Sequence, residues 1–405
     1  MHVCMLTYSF YESDTRVRQY AKALAKRGDI VDVIALRRPS QESASDVDGV
    51  HVYRIQLRVP NERNPTTYLF RILRFFFRSA WLLARRNAAS HYDVVHVHNV
   101  PDFLVFAAFV PRLTGARVIL DIHDILPEFY ASKFGADNSS FIFRLMVWVE
   151  RLSIHFSDHV IIANDLWRKR LLSRSVQPDK CLTLINYPDL EVFVPRPHRT
   201  DGKFRIVYPG SLNRHQGLDI AVRAFARVAA EMPGAEFAIY GEGPDRIPLI
   251  RLILELEMDD RIHIHDSVAV SEIAAVMAES DLAVVPKRAS SKFGNEAAST
   301  KIMEFMAVRV PLIASRTAIE SHYFSDSLVK FFESENEADL AAAMLQMYRE
   351  PQLRSYLVEN ASQYIAENRW DMKKAEYFEL VDRARSCRSS QVGSGVRPAS
   401  ESARE

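Results

Sequence analysis

The residue types with the most chemical potential lie between Ser290 and Ser315, in the stretch SSKFGNEAASTKIMEFMAVRVPLIAS. Glu296 ends a polar loop that begins at Lys292, and Glu304 follows with seven residues between them. Ser299 and Thr300 are good helix N-caps. The pattern after them predicts a helix that turns Ile302, Met303, Phe305 and Met306 inward. A helix start offers unpaired N–H groups and the positive end of a dipole, which suits a phosphate. Glu304, one turn deeper, suits a vicinal diol such as a ribose. Glu296, on the loop, suits a sugar hydroxyl. A nucleotide-sugar needs that set of contacts. Glutamates at this spacing are common in chains of this length, so the surroundings must carry the argument. The plainer alternative is an amphipathic helix with two solvated glutamates.

Strand-like runs alternate with helical patterns throughout, which predicts an α/β chain of parallel sheets with crossover helices. The first strand, Val3 to Tyr8, leads to a helix from Thr15 to Arg27 that Gly28 closes. Arg16 and Arg18 on it read as surface charges, or else as contacts to an acidic acceptor. The strand Asp93 to Val97 ends in His98 and Asn99, and the strand Arg117 to Ile122 ends in His123 and Asp124. Ligands of open α/β sheets bind at the carboxyl ends of strands. Two adjacent strand ends of this kind point into a cleft, whereas His96, inside its strand, reads as core. Asp121 and Asp124 with the two histidines suggest a metal site, but no histidine pair has helical metal spacing, so metal is disfavoured.

The proline-rich, polar run from Val194 to Lys203 reads as a linker between two domains. A strand, Phe204 to Tyr208, restarts the pattern and leads through Gly210 and Gly217 into a helix, Leu218 to Glu231. Strand, glycine turn and helix form a phosphate-binding arrangement. A second turn, Gly241-Glu242-Gly243-Pro244, follows the strand Glu236 to Tyr240.

In this order, FGNEAASTKIMEFM resembles the donor-site signature of family 4 retaining glycosyltransferases of the GT-B fold. GEGP after a strand, DIHD at residues 121–124 and the Asn-Tyr-Pro-Asp run at 186–189 are similar to that family as well. The resemblance implies two Rossmann-like domains facing across a cleft. Residues 1–195 form the acceptor side and residues 203–370 bind the nucleotide-sugar; a helix at 371–384 returns to the first domain, and a Ser-rich tail at 385–405 is disordered. It implies Glu296 at the donor sugar, Glu304 at the ribose and His123 beside the reacting centre. His98, Asn99 and Asp124 fall on the acceptor side, and Gly210, Gly217, Gly241 and Gly243 face the donor. The family's diphosphate-binding Arg and Lys are replaced here by Ser211 and Gln216. Arg214 and Lys301, with the helix start, are the cations left for the diphosphate, though Lys301 also reads as a solvated first-turn residue.

The implied reaction is transfer of a sugar to a glycan or lipid-linked acceptor in surface polysaccharide or glycoconjugate synthesis, without cofactor or metal. A nucleotide-sugar epimerase and a catalytically silent binding protein are the alternatives. The chain has 405 residues, 48% hydrophobic and 25% charged, with a net charge of +1, so nothing points to nucleic acid. Cys4, Cys181 and Cys387 have no metal or disulfide spacing, which fits a reducing compartment. Neither a signal peptide nor an apolar run of transmembrane length is seen. The expected location is cytoplasmic and peripheral to the inner face of a membrane. The segment for that contact is 68–86, YLFRILRFFFRSAWLLARR, where Arg71, Arg74, Arg78 and Arg85 share one helical face among large apolar residues. An ordinary helix packed on the sheet is the alternative.

Overall fold

The computed structural model describes residues 1–58, 65–134, 140–197, 199 and 201–386. The tail expectation for 385–405 therefore falls mostly outside the described residues, and the last helix runs to Ser386. The first sheet contains β1 (His2–Thr7), β2 (Ile30–Arg37), β3 (Ala44–Val47), β4 (Val50–Leu57), β5 (Val94–His98), β6 (Arg117–Ile122), β7 (His159–Ile162) and β8 (Cys181–Thr183). Their order is β3-β4-β2-β1-β5-β6-β7-β8. Pairing is parallel except at the β3–β4 edge. There Asp48 and Gly49 turn the chain with φ of 53° and 78°, the left-handed pair that a tight hairpin requires.

The second sheet contains β9 (Phe204–Pro209), β10 (Ala235–Tyr240), β11 (Ile262–His265), β12 (Leu282–Val285), β13 (Leu312–Ser315) and β14 (Lys330–Phe332). Their order is β11-β10-β9-β12-β13-β14, all parallel. In both sheets the strand order reverses beside the first strand, between β1 and β5 and between β9 and β12. A crevice opens outside the carboxyl ends at such a point. This is the two-domain GT-B architecture that the resemblance implies.

The helix Thr15–Arg27 starts where Asp14 accepts a hydrogen bond from the Val17 N–H and ends at Gly28, whose φ is 96°. That left-handed cap favours glycine. The helix Leu218–Val228 stops short of Glu231, and a 3-10 turn takes over at Ala229. The loop expected at Lys292–Glu296 is a short helix, with Ser291 accepting from the Gly294 N–H.

One face of the first sheet packs the helices Pro65–Ala89 and Phe141–Phe156 through Ile72, Phe75, Leu83 and Ile154. The other face packs Thr15–Arg27 and the last helix, Trp370–Ser386, through Tyr20, Leu24, Tyr377 and Val381. The last helix therefore returns to the first domain. The chain changes domain earlier than residue 195. Ile185, Tyr187, Leu190 and Phe193 already pack into the second domain's core, because the chain leaves the sheet edge after β8 with these apolar side chains still to bury.

His96 is a core residue, as its place inside a strand predicts: its Nδ1 lies 3.0 Å from the Tyr377 hydroxyl, and the Tyr377 ring stacks on Tyr20 at 4.4 Å. Tyr377→Ala is expected to cost about 3–5 kcal/mol through the cavity it leaves, and Tyr377→Phe only about 1 kcal/mol for the lost hydrogen bond. Urea unfolding midpoints read both. Equal losses would mean that the hydroxyl, not the ring, holds the returning helix.

Candidate active site

The first half of the site hangs on one buried carboxylate. Asp121 in β6 has no solvent exposure, and Arg16 grips both of its oxygens at 2.8 and 2.9 Å. Arg16 also donates to the Leu184 carbonyl and to Asn186 Oδ1, each at 2.8 Å. It is thus neither a surface charge nor an acceptor contact. Burial works against the charge on Asp121, yet Arg16 and the nearby imidazoles outweigh it and hold the carboxyl well below the usual range.

Two histidines use the same carboxylate oxygen. His98 Nδ1 lies 3.2 Å and His123 Nε2 lies 3.3 Å from Asp121 Oδ2, and the two nitrogens are 3.1 Å apart. His98 is fully buried, and burial pushes its pKa down. It stands behind His123 instead of on the acceptor side, because Asp121 draws it inward. Asn99 is also buried. Its Oδ1 accepts from the His123 N–H at 2.8 Å, and its Nδ2 donates to Asp102 Oδ1 at 2.8 Å and to the Asp124 carbonyl at 2.7 Å. It braces the His123 loop from below. Asp124 is half-buried, and burial raises its pKa.

Ligand atoms of His96, His98 and Asp121 come within 4.8 Å of one another, all buried. Arg16 already satisfies both Asp121 oxygens, so a second cation there would face a buried guanidinium. The trio does not fit a metal.

The second half of the site is the helix Thr300–Ala307, with Ser299 at its N-cap. Lys301 Nζ lies 5.3 Å from the Tyr208 ring centroid. Burial lowers the Lys301 pKa against the pull of Glu304, and burial raises that of Glu304 against Lys301. Lys301 is half-buried, tucked against Tyr208 and Gly210, and so is not a freely solvated side chain. A cavity of 280 Å³ lies beside them, lined also by Gly210 and Gly241. A Cβ on Gly210 would sit 2.4 Å from Lys301 Cε, so the missing side chain makes the room that the lysine occupies. Gly217 and Gly243 do not line this cavity; a Cβ on either would meet backbone, Pro286 O at 1.9 Å and Leu212 O at 2.3 Å. They serve chain packing.

A second cavity, of 90 Å³, joins the two domains. His123, Asp124 and Asn164 line it from the first domain, and Ser299, Thr300 and Glu320 from the second. Thr300 lines both cavities. The strand-end histidine and the helix start thus face one another across this second cavity, and Thr300 borders the first as well.

Arg214 does not join them. It lies in a 3-10 turn with its side chain 77% exposed, 3.8 Å from Asp219, and lines neither cavity. Asp219 draws it outward together with Arg288. Glu296 is engaged by the opposite domain: its carboxylate pairs with Arg170, and its carbonyl accepts from Asn164 Nδ2 at 3.0 Å. Phe293, in the same short helix, is buried in the first domain's core, edge-on to Phe129 at 5.0 Å and stacked near Trp167 at 5.9 Å.

Lys287 and Glu320 went unnoticed in the sequence. Lys287 donates to both Glu320 oxygens, at 3.0 and 3.2 Å, and to the Ala297 carbonyl. Glu320 accepts from the Ser299 N–H at 3.1 Å. This buried pair pins the segment between the two signature glutamates. A lysine two residues after a buried strand was the available signal, but nothing local pointed to Glu320, 33 residues on.

Residues 13–186 match the family described as "Glycosyl transferase 4-like domain", and residues 193–364 match "Glycosyl transferases group 1". The chain belongs to glycosyltransferase family 4. Among the relatives of this family 4 chain, a Homo sapiens subunit of phosphatidylinositol N-acetylglucosaminyltransferase is 24% identical over 278 residues. That match covers 66% of this chain and 52% of the relative, about half its length. Sucrose-phosphate synthase from Thermosynechococcus elongatus has a similar structure, with a TM-score of 0.76 at 17% identity over 95% of this chain and 98% of that one. Anabaena Alr3699/HepE in complex with UDP-glucose gives a TM-score of 0.66 at 14% identity over 97% and 100%. These likenesses establish the GT-B fold.

Lys287→Met would leave Glu320 buried and unpaired and is expected to cost about 3–5 kcal/mol. The double variant Lys287→Met/Glu320→Leu should recover part of that loss in thermal or urea unfolding. A double variant as unstable as the sum of the singles would show that the two residues do not act as a unit.

Proposed function

We propose that this family 4 glycosyltransferase moves a sugar from a nucleotide-sugar to a glycan or lipid-linked acceptor, with retention of anomeric configuration, in surface polysaccharide or glycoconjugate synthesis. The observation that carries the reading is the shared cleft: the start of helix Thr300–Ala307 on one side, His123 and Asp124 on the other. The likeness to HepE, whose structure holds UDP-glucose, supports a nucleotide-sugar donor.

In this reading the acceptor oxygen attacks the anomeric carbon as the bond to the diphosphate oxygen breaks. That oxygen takes the acceptor's proton, so no protein nucleophile is needed. What the protein supplies is orientation and positive potential. Lys301 and the helix start hold the diphosphate. Glu304 takes the ribose hydroxyls and His123 the reacting centre, while Glu296, which lines neither cavity, reaches the donor sugar only when its pair with Arg170 parts. The exposed, outward Arg214 is left out of this set. That loss favours one second reading, a nucleotide-sugar-binding protein without turnover. Donor hydrolysis or transfer by purified protein separates the two.

Glu304→Gln is expected to weaken donor binding by about 1.5–3 kcal/mol, the worth of a charge-assisted hydrogen bond, as read by calorimetry with a nucleotide-sugar. Glu296→Gln should lower turnover more than donor affinity. If neither kcat nor donor affinity moves in either variant, the donor assignment is lost.

A thermal-shift screen against nucleotide-sugars identifies the donor, since a ligand at about 100 times its Kd stabilises by about 2.7 kcal/mol. Lys301 and the helix dipole take the place of a divalent ion at the diphosphate. Transfer is therefore expected to proceed unchanged in excess chelator, and a strict magnesium or manganese requirement would contradict this.

A further inference from the structure

The outer face of the first domain exposes large apolar side chains on two separate helices. On Pro65–Ala89, Phe70, Phe77 and Trp81 are 66%, 66% and 62% exposed. On Phe141–Phe156, Phe141 and Trp148 are 78% and 57% exposed. Helical spacing aligns Phe70, Phe77 and Trp81 in one stripe, flanked by the exposed Arg74, Arg78 and Arg85. It aligns Phe141, Leu145, Trp148 and Leu152 in a second, flanked by the exposed Arg144 and Arg151.

Both helices cover the same face of the sheet, so their outer stripes point to the same side of the molecule. The turn Asp102–Ala108 bridges them: Phe103 meets Phe76 at 6.0 Å and Phe106 meets Phe156 at 5.2 Å. Helix Pro65–Ala89 contains no Asp or Glu. The carboxylate on the other helix, Glu150, is buried and held by Arg174. Two arginines of the first helix lie outside the stripe: Arg71, expected within it, is half-buried, and Arg86 turns inward to Asp32 at 2.9 Å.

Exposed apolar stripes of this size mark interaction sites. Rows of arginine beside them, with no exposed carboxylate on either helix, suit a negatively charged partner. Apolar side chains that enter the headgroup boundary while guanidiniums meet lipid phosphates satisfy both features at once. We propose that the two helices together form a docking surface for an anionic lipid bilayer. The proposal rests on the lipid-linked acceptor reading and adds Phe141–Phe156 to the contact expected for 68–86. Tyr68, near the start of the first helix, meets Tyr8 at the carboxyl edge of the sheet, at 6.4 Å. The surface therefore borders the edge on which His123 sits, and docking brings the acceptor side of the cleft to the lipid.

The test is sedimentation of the full chain with vesicles of equimolar phosphatidylglycerol and phosphatidylcholine, and with phosphatidylcholine alone, at low and high salt. Binding is expected to the anionic vesicles only and to fall with salt. Arg74→Gln/Arg78→Gln/Arg85→Gln should weaken it on the order of a hundredfold at low salt. Leu145→Ser/Trp148→Ser should weaken it about tenfold or more. All five side chains are exposed, and melting curves confirm that the variants fold. Wild-type binding by Leu145→Ser/Trp148→Ser would overturn the two-helix surface. Equal binding to neutral vesicles, no binding at low salt, or self-association abolished by the same substitutions would overturn the lipid assignment. Sedimentation needs no turnover, so its failure would leave sugar transfer to a soluble acceptor standing, and the failure of transfer would leave the docking surface standing.

Discussion

Arg16 and Asp121 form the contact on which most of the first domain's geometry depends. A carboxylate buried in the middle of a parallel sheet is costly unless paired and hydrogen-bonded. Arg16 meets that demand with both oxygens occupied, and its remaining donor ties Leu184 and Asn186, where the chain leaves for the second domain. One guanidinium therefore joins the first helix, the sixth strand and the interdomain exit. The anion it stabilises then orders two imidazoles, one wholly buried and one reaching the cleft. His123 gains a fixed orientation from groups that never touch solvent. Preorganisation of that kind is what electrostatic catalysis requires of its scaffold.

The second domain solves the matching problem with a buried ion pair of its own. Lys287 lies under the loop before the signature helix and meets Glu320, which in turn holds the Ser299 N–H. The loop is thereby fixed at both its carbonyl and amide sides. The helix start stays where the cleft can use it, while Glu304 and Lys301 stand one face deeper. Both halves thus rest on a buried ion pair between elements distant in sequence. In the first, the groups that face the cleft differ from the pair that holds it in place; in the second, Glu320 does both.

Local features of this arrangement were legible in the sequence. Alternating strands and helices marked two parallel sheets, Gly28 marked a helix end, and Thr300 marked the signature helix within a residue. The edge hairpin turning at Asp48-Gly49 went unread, because the strand before it is short and polar. What stayed hidden was set by partners far away. Arg16 sits on a helix whose other charges are at least partly exposed, and only Asp121, 105 residues on, explains its burial. Glu296 reads as a free sugar ligand until Arg170, 126 residues earlier, is brought beside it. Arg214 reads as the available cation because sequence shows the charge and not the direction of the side chain.

Phe293 gives the cleft a dependence on temperature. It belongs to the second domain but completes the apolar core of the first, so parting the domains must expose it to water. Hydration of such a ring carries a large heat capacity, and the drive to bury it weakens on cooling. The Arg170–Glu296 pair beside it is partly open to solvent and contributes little by comparison. The share of closure that this ring supplies is therefore greatest in warmth and fades in the cold, while the polar contacts across the same boundary, such as Asn164 to the Glu296 carbonyl, do not follow it.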